Sequence, residues 1–165
     1  MSQSNHSSYE EIYSEWVPAG KFLKIIILVV IIISTSIVIS ISVFNPDMFF
    51  LLLITILSLF VIIGVMYWNY RGLNIILTEK SIKLKYGIFN EKEIPYDKIT
   101  HYEITKTQFR KYGGIGIRLG IDGSRAYNTN FGEAIKLTYN NNRPFVFSTK
   151  HSAKILDILE TKTQE

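Results

Sequence analysis

From Ile25 to Phe44 the chain reads IIILVVIIISTSIVISISVF, and after Asn45-Pro46-Asp47 the run MFFLLLITILSLFVIIGVMYWNY extends from Met48 to Tyr70. The two runs hold 20 and 23 residues without a formal charge, and crossing a bilayer as a helix takes roughly 20 apolar residues. Pro46 breaks helix geometry and suits a tight turn, so residues 21–70 are read as an antiparallel transmembrane hairpin with helices at about 22–44 and 47–70. No small-residue cleavage site follows the first run, which argues for a retained anchor over a signal peptide. Lys21 and Lys24 precede the first helix, Arg71, Lys80, Lys83 and Lys85 follow the second, and the turn between has no Lys or Arg. The positive-inside rule then places both termini and the remaining domain in the cytoplasm, on a multi-pass protein of the cell membrane. Trp16, Tyr67, Trp68 and Tyr70 would ring that same interface. Neither apolar run carries Asp, Glu, Arg, Lys or His, so the marks of a proton relay or transport path are missing and the hairpin reads as an anchor. Ser36 and Ser40 have a small-xxx-small spacing that suits close packing inside the hairpin, with a dimerisation face as the alternative, and Thr55 and Ser58 are placed to hydrogen-bond across it.

The whole chain has 165 residues, 47% hydrophobic and 19% charged, with no cysteine and a net charge of +4. Disorder, a collagen repeat, a disulfide scaffold and a thiolate metal site are excluded by that composition. Residues 71–165 hold 16 Lys or Arg against 10 Asp or Glu, a small basic domain. In the tail, residues 1–20, the i, i+3, i+4, i+7 spacing of Tyr9, Ile12, Tyr13 and Trp16 predicts a short amphipathic helix that Pro18 ends. Glu10, Glu11 and Glu15 fall on its other faces and favour docking on the basic domain over an anionic leaflet.

Within 71–165, Ser81 to Tyr86 alternates Ile82, Leu84 and Tyr86 with Ser81, Lys83 and Lys85, the period of a half-buried strand. Further β-prone runs cover Leu73 to Leu77, Phe89 to Ile94, Ile99 to Thr105, Ile115 to Ile121, Ser124 to Thr129, Ala134 to Tyr139 and Pro144 to Ser148. Ser152 then caps a final helix with the stripe Ile155, Leu156, Ile158 and Leu159. The fold class is α+β: seven or eight strands closed by one helix.

The acidic-aromatic tail, the hairpin entering the domain at Arg71-Gly72, and the segments Tyr112-Gly-Gly-Ile-Gly-Ile-Arg-Leu-Gly120, Arg125-Ala-Tyr-Asn128, Lys136-Leu-Thr-Tyr139 and Pro144-Phe-Val-Phe-Ser-Thr149 resemble the bacterial pleckstrin-homology-like (PH-like) membrane proteins of unknown function. The resemblance covers nearly the whole chain. It implies an antiparallel split β-barrel of two sheets with a C-terminal capping helix, and it carries over no functional residue.

Asp122-Gly123 between two strand-like runs predicts a two-residue hairpin loop, with Ile121 opposite Ser124, Gly120 opposite Arg125 and Arg118 opposite Tyr127. Alternation then turns Ile117, Leu119, Ile121 and Ala126 to the core and gathers Gly114, Gly116, Arg118, Gly120, Arg125 and Tyr127 on the other face. Glycine repeated on one strand face marks either a close approach or a bulged, bending strand. Gly116, Arg118, Gly120, Arg125 and Tyr127 are therefore the candidate binding face, and Arg71, Lys80, Lys83 and Lys85 the candidate lipid-proximal cations. No Gly-Lys-Ser/Thr follows the glycine run, which removes a nucleotide cradle. His6, His101 and His151 lack metal-ligand spacing, so no catalytic residue, metal or cofactor is assigned. Dispersed lysines argue against nucleic acid. The leading reading is a non-catalytic, membrane-anchored interaction module at the cytoplasmic leaflet that binds a protein or peptide or self-associates. Direct recognition of anionic lipid is the alternative, and a membrane-associated enzyme is a distant third.

Overall fold

The computed structural model describes residues 10–140 and 143–164. Tyr9, the Asn5-His6-Ser7 triplet that matches a glycosylation acceptor pattern, Asn141 and Asn142 lie outside them. Strand β1 (Glu11–Pro18) leads into helix α1 (Lys21–Phe44); one 3₁₀ turn (Pro46–Met48) joins it to helix α2 (Phe49–Tyr70). Both helices are long and apolar enough to cross a membrane, and Ile56 is the one buried residue in them. The hydroxyls of Ser34, Ser36, Ser42, Thr55 and Ser58 bond back into their own helices, Thr55 to the Leu51 carbonyl and Ser58 to that of Thr55. The expected bonds across the hairpin are therefore not made, because a carbonyl one turn back is the nearer acceptor. Ser36 and Ser40 are exposed, and the half-buried stripe of α1 runs instead through Ile31, Ser34, Val38 and Ser42.

Strands β2 (Gly72–Thr78), β3 (Ser81–Tyr86) and β4 (Asn90–Pro95) follow α2 without a linker, and β1 completes this first sheet in the order β1-β2-β3-β4. The tail is thus a strand and not the expected amphipathic helix: Glu15 stands opposite Ile75 and Val17 opposite Leu73. An edge strand gains its hydrogen bonds from β2, whereas an isolated helix of that length is marginal in water. The inward row is Tyr13, Glu15 and Val17, and a glutamate in the core-facing position conceals the period of two.

The second sheet contains β5 (Ile99–Thr107), β6 (Gly116–Leu119), β7 (Arg125–Asn128), β8 (Gly132–Tyr139) and β9 (Phe145–Ser148), in the order β5-β8-β9-β7-β6. A one-turn helix, α3 (Phe109–Tyr112), precedes β6, and α4 (Ser152–Gln164) ends the fold. All pairings are antiparallel except β7 with β9, which run parallel. Every residue of β9 is buried, and a strand covered on both faces must be central. Phe145 and Phe147 enter the main core, while Val146 joins Tyr112, Ala126 and Ala134 in a second cluster. The main core lies between the sheets and under α4, through Leu73, Leu84, Ile135, Leu137, Ile155 and Leu159. The ladders among described residues join strands within each sheet and not between them, so two packed sheets, and not barrel closure, are what is seen. Ser152 opens α4 as expected, but its hydroxyl donates to Glu133 Oε2 at 2.9 Å and does not cap the helix.

Candidate functional site

The loop after β6 decides what happens to the expected glycine-floored face. The Gly123 amide donates to the Gly120 carbonyl at 2.9 Å, and the Gly120 amide to that of Ser124 at 2.7 Å. Gly123 has φ 78°. This is a turn closed by a left-handed glycine, a three-residue hairpin loop in place of the two-residue one. Asp122 Oδ1 accepts from the Ser124 amide and hydroxyl at 3.1 and 2.6 Å, and its Oδ2 pairs with Lys111 Nζ at 2.7 Å. Burial pushes the Asp122 carboxyl up, but those hydrogen bonds from Lys111 and Ser124 outweigh it and bring it down to about 2.

The longer loop moves the register by one. Leu119 lies opposite Arg125, Arg118 opposite Ala126 and Ile117 opposite Tyr127, and a one-residue slip exchanges the two faces of a strand. The five candidates therefore do not form one surface. Tyr127 is 8% exposed in the core, and burial raises its phenol above the usual range. Gly120 is buried, and a Cβ there would meet Asp122, Ser124 and Tyr112. By alternation Arg118 and Arg125 fall on opposite faces. Arg118 Nε donates to the Ile115 carbonyl at 3.0 Å, and with Gly116 it lines a cleft against Leu23, Met66 and Tyr70 at the roots of both helices. Of the four residues expected inside, Ala126 is fully buried, whereas Ile117 is 43%, Leu119 63% and Ile121 85% exposed, because β6 is the outermost strand and Ile121 lies in the loop after it.

The four candidate lipid-proximal cations divide as well. The Arg71 guanidinium lies 4.3 Å from the Trp68 ring centroid and 5.9 Å from that of Trp16, at the end of α2. Lys80 sits past the far end of β2, about 20 Å along the strand from Gly72. Lys83 and Lys85 pair across the sheet with Glu93 at 3.6 Å and Glu91 at 3.3 Å. Trp16 does not cover Gly116 or Gly120; its ring is packed where a Gly72 side chain would be.

Two arrangements have no counterpart in the sequence reading. Glu15, whose side chain is 5% exposed, accepts from the Thr149 hydroxyl and the Lys150 amide, each at 2.7 Å, and so ties β1 to the entry of α4. Arg125 lines an opening with Lys92, Tyr139 and Arg143. The signal for Lys92 was present: it sits two residues before Ile94, on the inward row of β4. Among the described residues no group of three or more metal-ligating side chains exists. His101 lies 3.8 Å from Glu103 and His151 3.5 Å from Glu15, while His6 is outside the described residues.

A family profile described as Bacterial PH domain matches residues 22–122, well over half of the chain. The chain belongs to the bacterial PH domain family. Domains of this kind are in general non-catalytic interaction modules. The match begins in the first turns of α1 and ends in the loop after β6, so the helical hairpin lies within the family unit. No curated protein and no solved structure matches the chain significantly.

Proposed function

We propose that this bacterial PH protein is a non-catalytic, membrane-anchored module that holds its two-sheet domain at the cytoplasmic leaflet and binds a protein or peptide, or a second copy of itself, there. The observation that carries the reading is β6, an edge strand with one side unpaired among the described residues, which exposes Ile117 and Leu119, with Ile121 exposed in the loop after it. Such an edge is a template for strand addition, in which backbone bonds supply affinity and side-chain pockets supply specificity. Anchoring is supported by the two apolar helices and by the placement of Lys21, Lys24 and Arg71 at their roots. Apolar residues of the domain also gather beside those roots. Phe22 on α1 packs edge-on with Phe109 and Phe131 at 6.1 and 5.7 Å. The exposed pair Ile88 and Phe89 sits on a turn whose Ile88 amide donates to Asn69 of α2 at 2.8 Å.

Photo-crosslinking in cells from a reactive side chain at Ile121 tests this, with exposed Glu160 of α4 as the control position. An adduct of defined mass at Ile121, absent at Glu160 and lost on Leu119→Lys, is the expected outcome. Equal labelling at both positions overturns it. A second reading, recognition of anionic lipid, is favoured by Arg118 in its cleft beside the helix roots. It predicts that Arg118→Gln lowers co-purification of acidic lipid while leaving the Ile121 adduct in place.

A further inference from the structure

Alternation along three strands brings charge to core-facing positions at one end of the space between the sheets. Lys92 stands opposite the fully buried Leu84 and two residues from the fully buried Ile94, so it shares their inward row. Arg125 is two residues from Tyr127, and Tyr139 two from Leu137, both of which lie in the same core. With Arg143 these side chains line an opening of about 450 Å³. Lys92 Nζ lies 5.4 Å from the centroid of the Tyr139 ring. The acids nearest in sequence, Glu91 and Glu93, point to the other face of β4 and are held by Lys85 and Lys83. No ion pair to Lys92, Arg125 or Arg143 is formed among the described residues.

Three cations around one opening without a counter-charge repel one another. Lys92 and Tyr139 are half-buried, while Arg125 and Arg143 are exposed at the mouth, so an anion entering the opening meets all three cations and relieves their repulsion. Two guanidiniums offer forked donors matched to phosphate oxygens, Lys92 adds a compact charge, and Tyr139 adds a hydroxyl donor and a ring face. A single carboxylate would leave most of the charge unbalanced, whereas a ligand bearing two phosphate groups would neutralise it. The size suits a small molecule, since ligand pockets span about 300 to 1,000 Å³. We propose that Lys92, Arg125, Tyr139 and Arg143 form a binding site for a polyphosphorylated ligand. It joins β4 of one sheet to β7 and β8 of the other, so the ligand clamps the two sheets together. The site is separate from the β6 edge and does not depend on how the helices meet a bilayer.

The probe is inorganic pyrophosphate, titrated calorimetrically into the full chain in neutral detergent at low salt, with thermal unfolding followed in parallel. Saturable one-to-one binding and a raised unfolding midpoint are expected. Arg125→Gln with Arg143→Gln should weaken binding about tenfold or more and abolish the midpoint shift, since each substitution removes a charged hydrogen bond. Arg143→Gln alone, in a loop outside the sheets, should weaken binding without altering the fold. Lys106→Gln with Arg110→Gln, two exposed cations elsewhere, should leave binding unchanged. Absence of binding at low salt, or an equal loss in this control pair, overturns the site in favour of diffuse charge. Mixed micelles containing phosphatidic acid identify the source of the phosphate. Competition with pyrophosphate makes it a lipid headgroup and no competition a soluble ligand, and either result supports the phosphate chemistry.

Discussion

Glu15 shows how one side chain recruits a segment that its own sequence would not hold in place. Its carboxylate lies at a core-facing position and is fully engaged: the Thr149 hydroxyl and the Lys150 amide donate to it at 2.7 Å, and the Tyr13 hydroxyl approaches at 3.4 Å. Lys150 Nζ adds a bond to the Trp16 carbonyl at 3.1 Å. The contacts to Thr149 and Lys150 join residues more than 130 positions apart, so they stabilise only the assembled domain. Replacing Glu15 by Ala leaves the buried Thr149 hydroxyl and the part-buried Lys150 amide without this acceptor, and the expected loss is about 3 kcal/mol. Glu15→Gln, which keeps one carbonyl acceptor, should lose about half as much. Thermal unfolding in neutral detergent checks both, and an Ala variant as stable as the natural chain would show that β1 is held by its ladder alone.

At the scale of elements, the β6–β7 hairpin depends on a charged lock at its tip. Asp122 titrates below its ordinary 3.8 in the folded chain, so its contribution is complete above that value and is lost as pH falls toward about 2. Lys111, raised above 10.5 first of all by its hydrogen bond to Asp122, contributes below that value and is lost only in alkali. Between about pH 5 and pH 2 the unfolding midpoint of the natural chain should therefore fall more steeply than that of Asp122→Asn, the two converging at the acid end. Parallel curves would remove the lock. The same loop explains where sequence reading succeeded and where it stopped. Ser81–Tyr86 alternates cleanly because its outward lysines meet glutamates and its inward residues are apolar, so the strand was legible. The Asp122-Gly123 hairpin was legible as a turn, but loop length depends on Ser124 and on Lys111 arriving from α3. One residue of register then exchanged the candidate face. β1 was hidden by the inward Glu15, whose partners lie at Thr149 and Lys150, and the parallel placement of β9 is set by burial on both faces. The helices were legible because their apolar runs need no tertiary partner to declare themselves, whereas Lys92, Arg125 and Tyr139 meet only through three separate strand registers.

For the whole molecule, the helical hairpin is an insertion into a β-hairpin. Pro18 pairs with Gly72, the Ala19 amide donates to the Arg71 carbonyl at 2.7 Å, and the Gly20 amide donates at 2.8 Å to the carbonyl of Thr129, the residue after β7 of the second sheet. The helix roots are thus side by side, fixed to both sheets. Rings continue the connection inward, from Tyr70 of α2 to Tyr86 at 5.8 Å, Tyr127 at 5.6 Å and Phe145 at 4.9 Å. Burial raises the phenols of Tyr86 and Tyr127, which keeps both neutral inside this stack. Because Pro18 and Gly72 are direct neighbours, residues 19–71 can be exchanged for a short Asn-Gly turn without stretching either strand. The exchanged protein should fold without detergent and retain the β1–β2 ladder, seen as protection of the β2 amides from hydrogen exchange. A fragment of residues 71–165 should be markedly less protected, because it loses β1, leaves β2 with an unpaired edge and removes Glu15 from Thr149 and Lys150. Equal protection in the two proteins would mean that β1 merely leads into the hairpin and takes no part in holding the domain together.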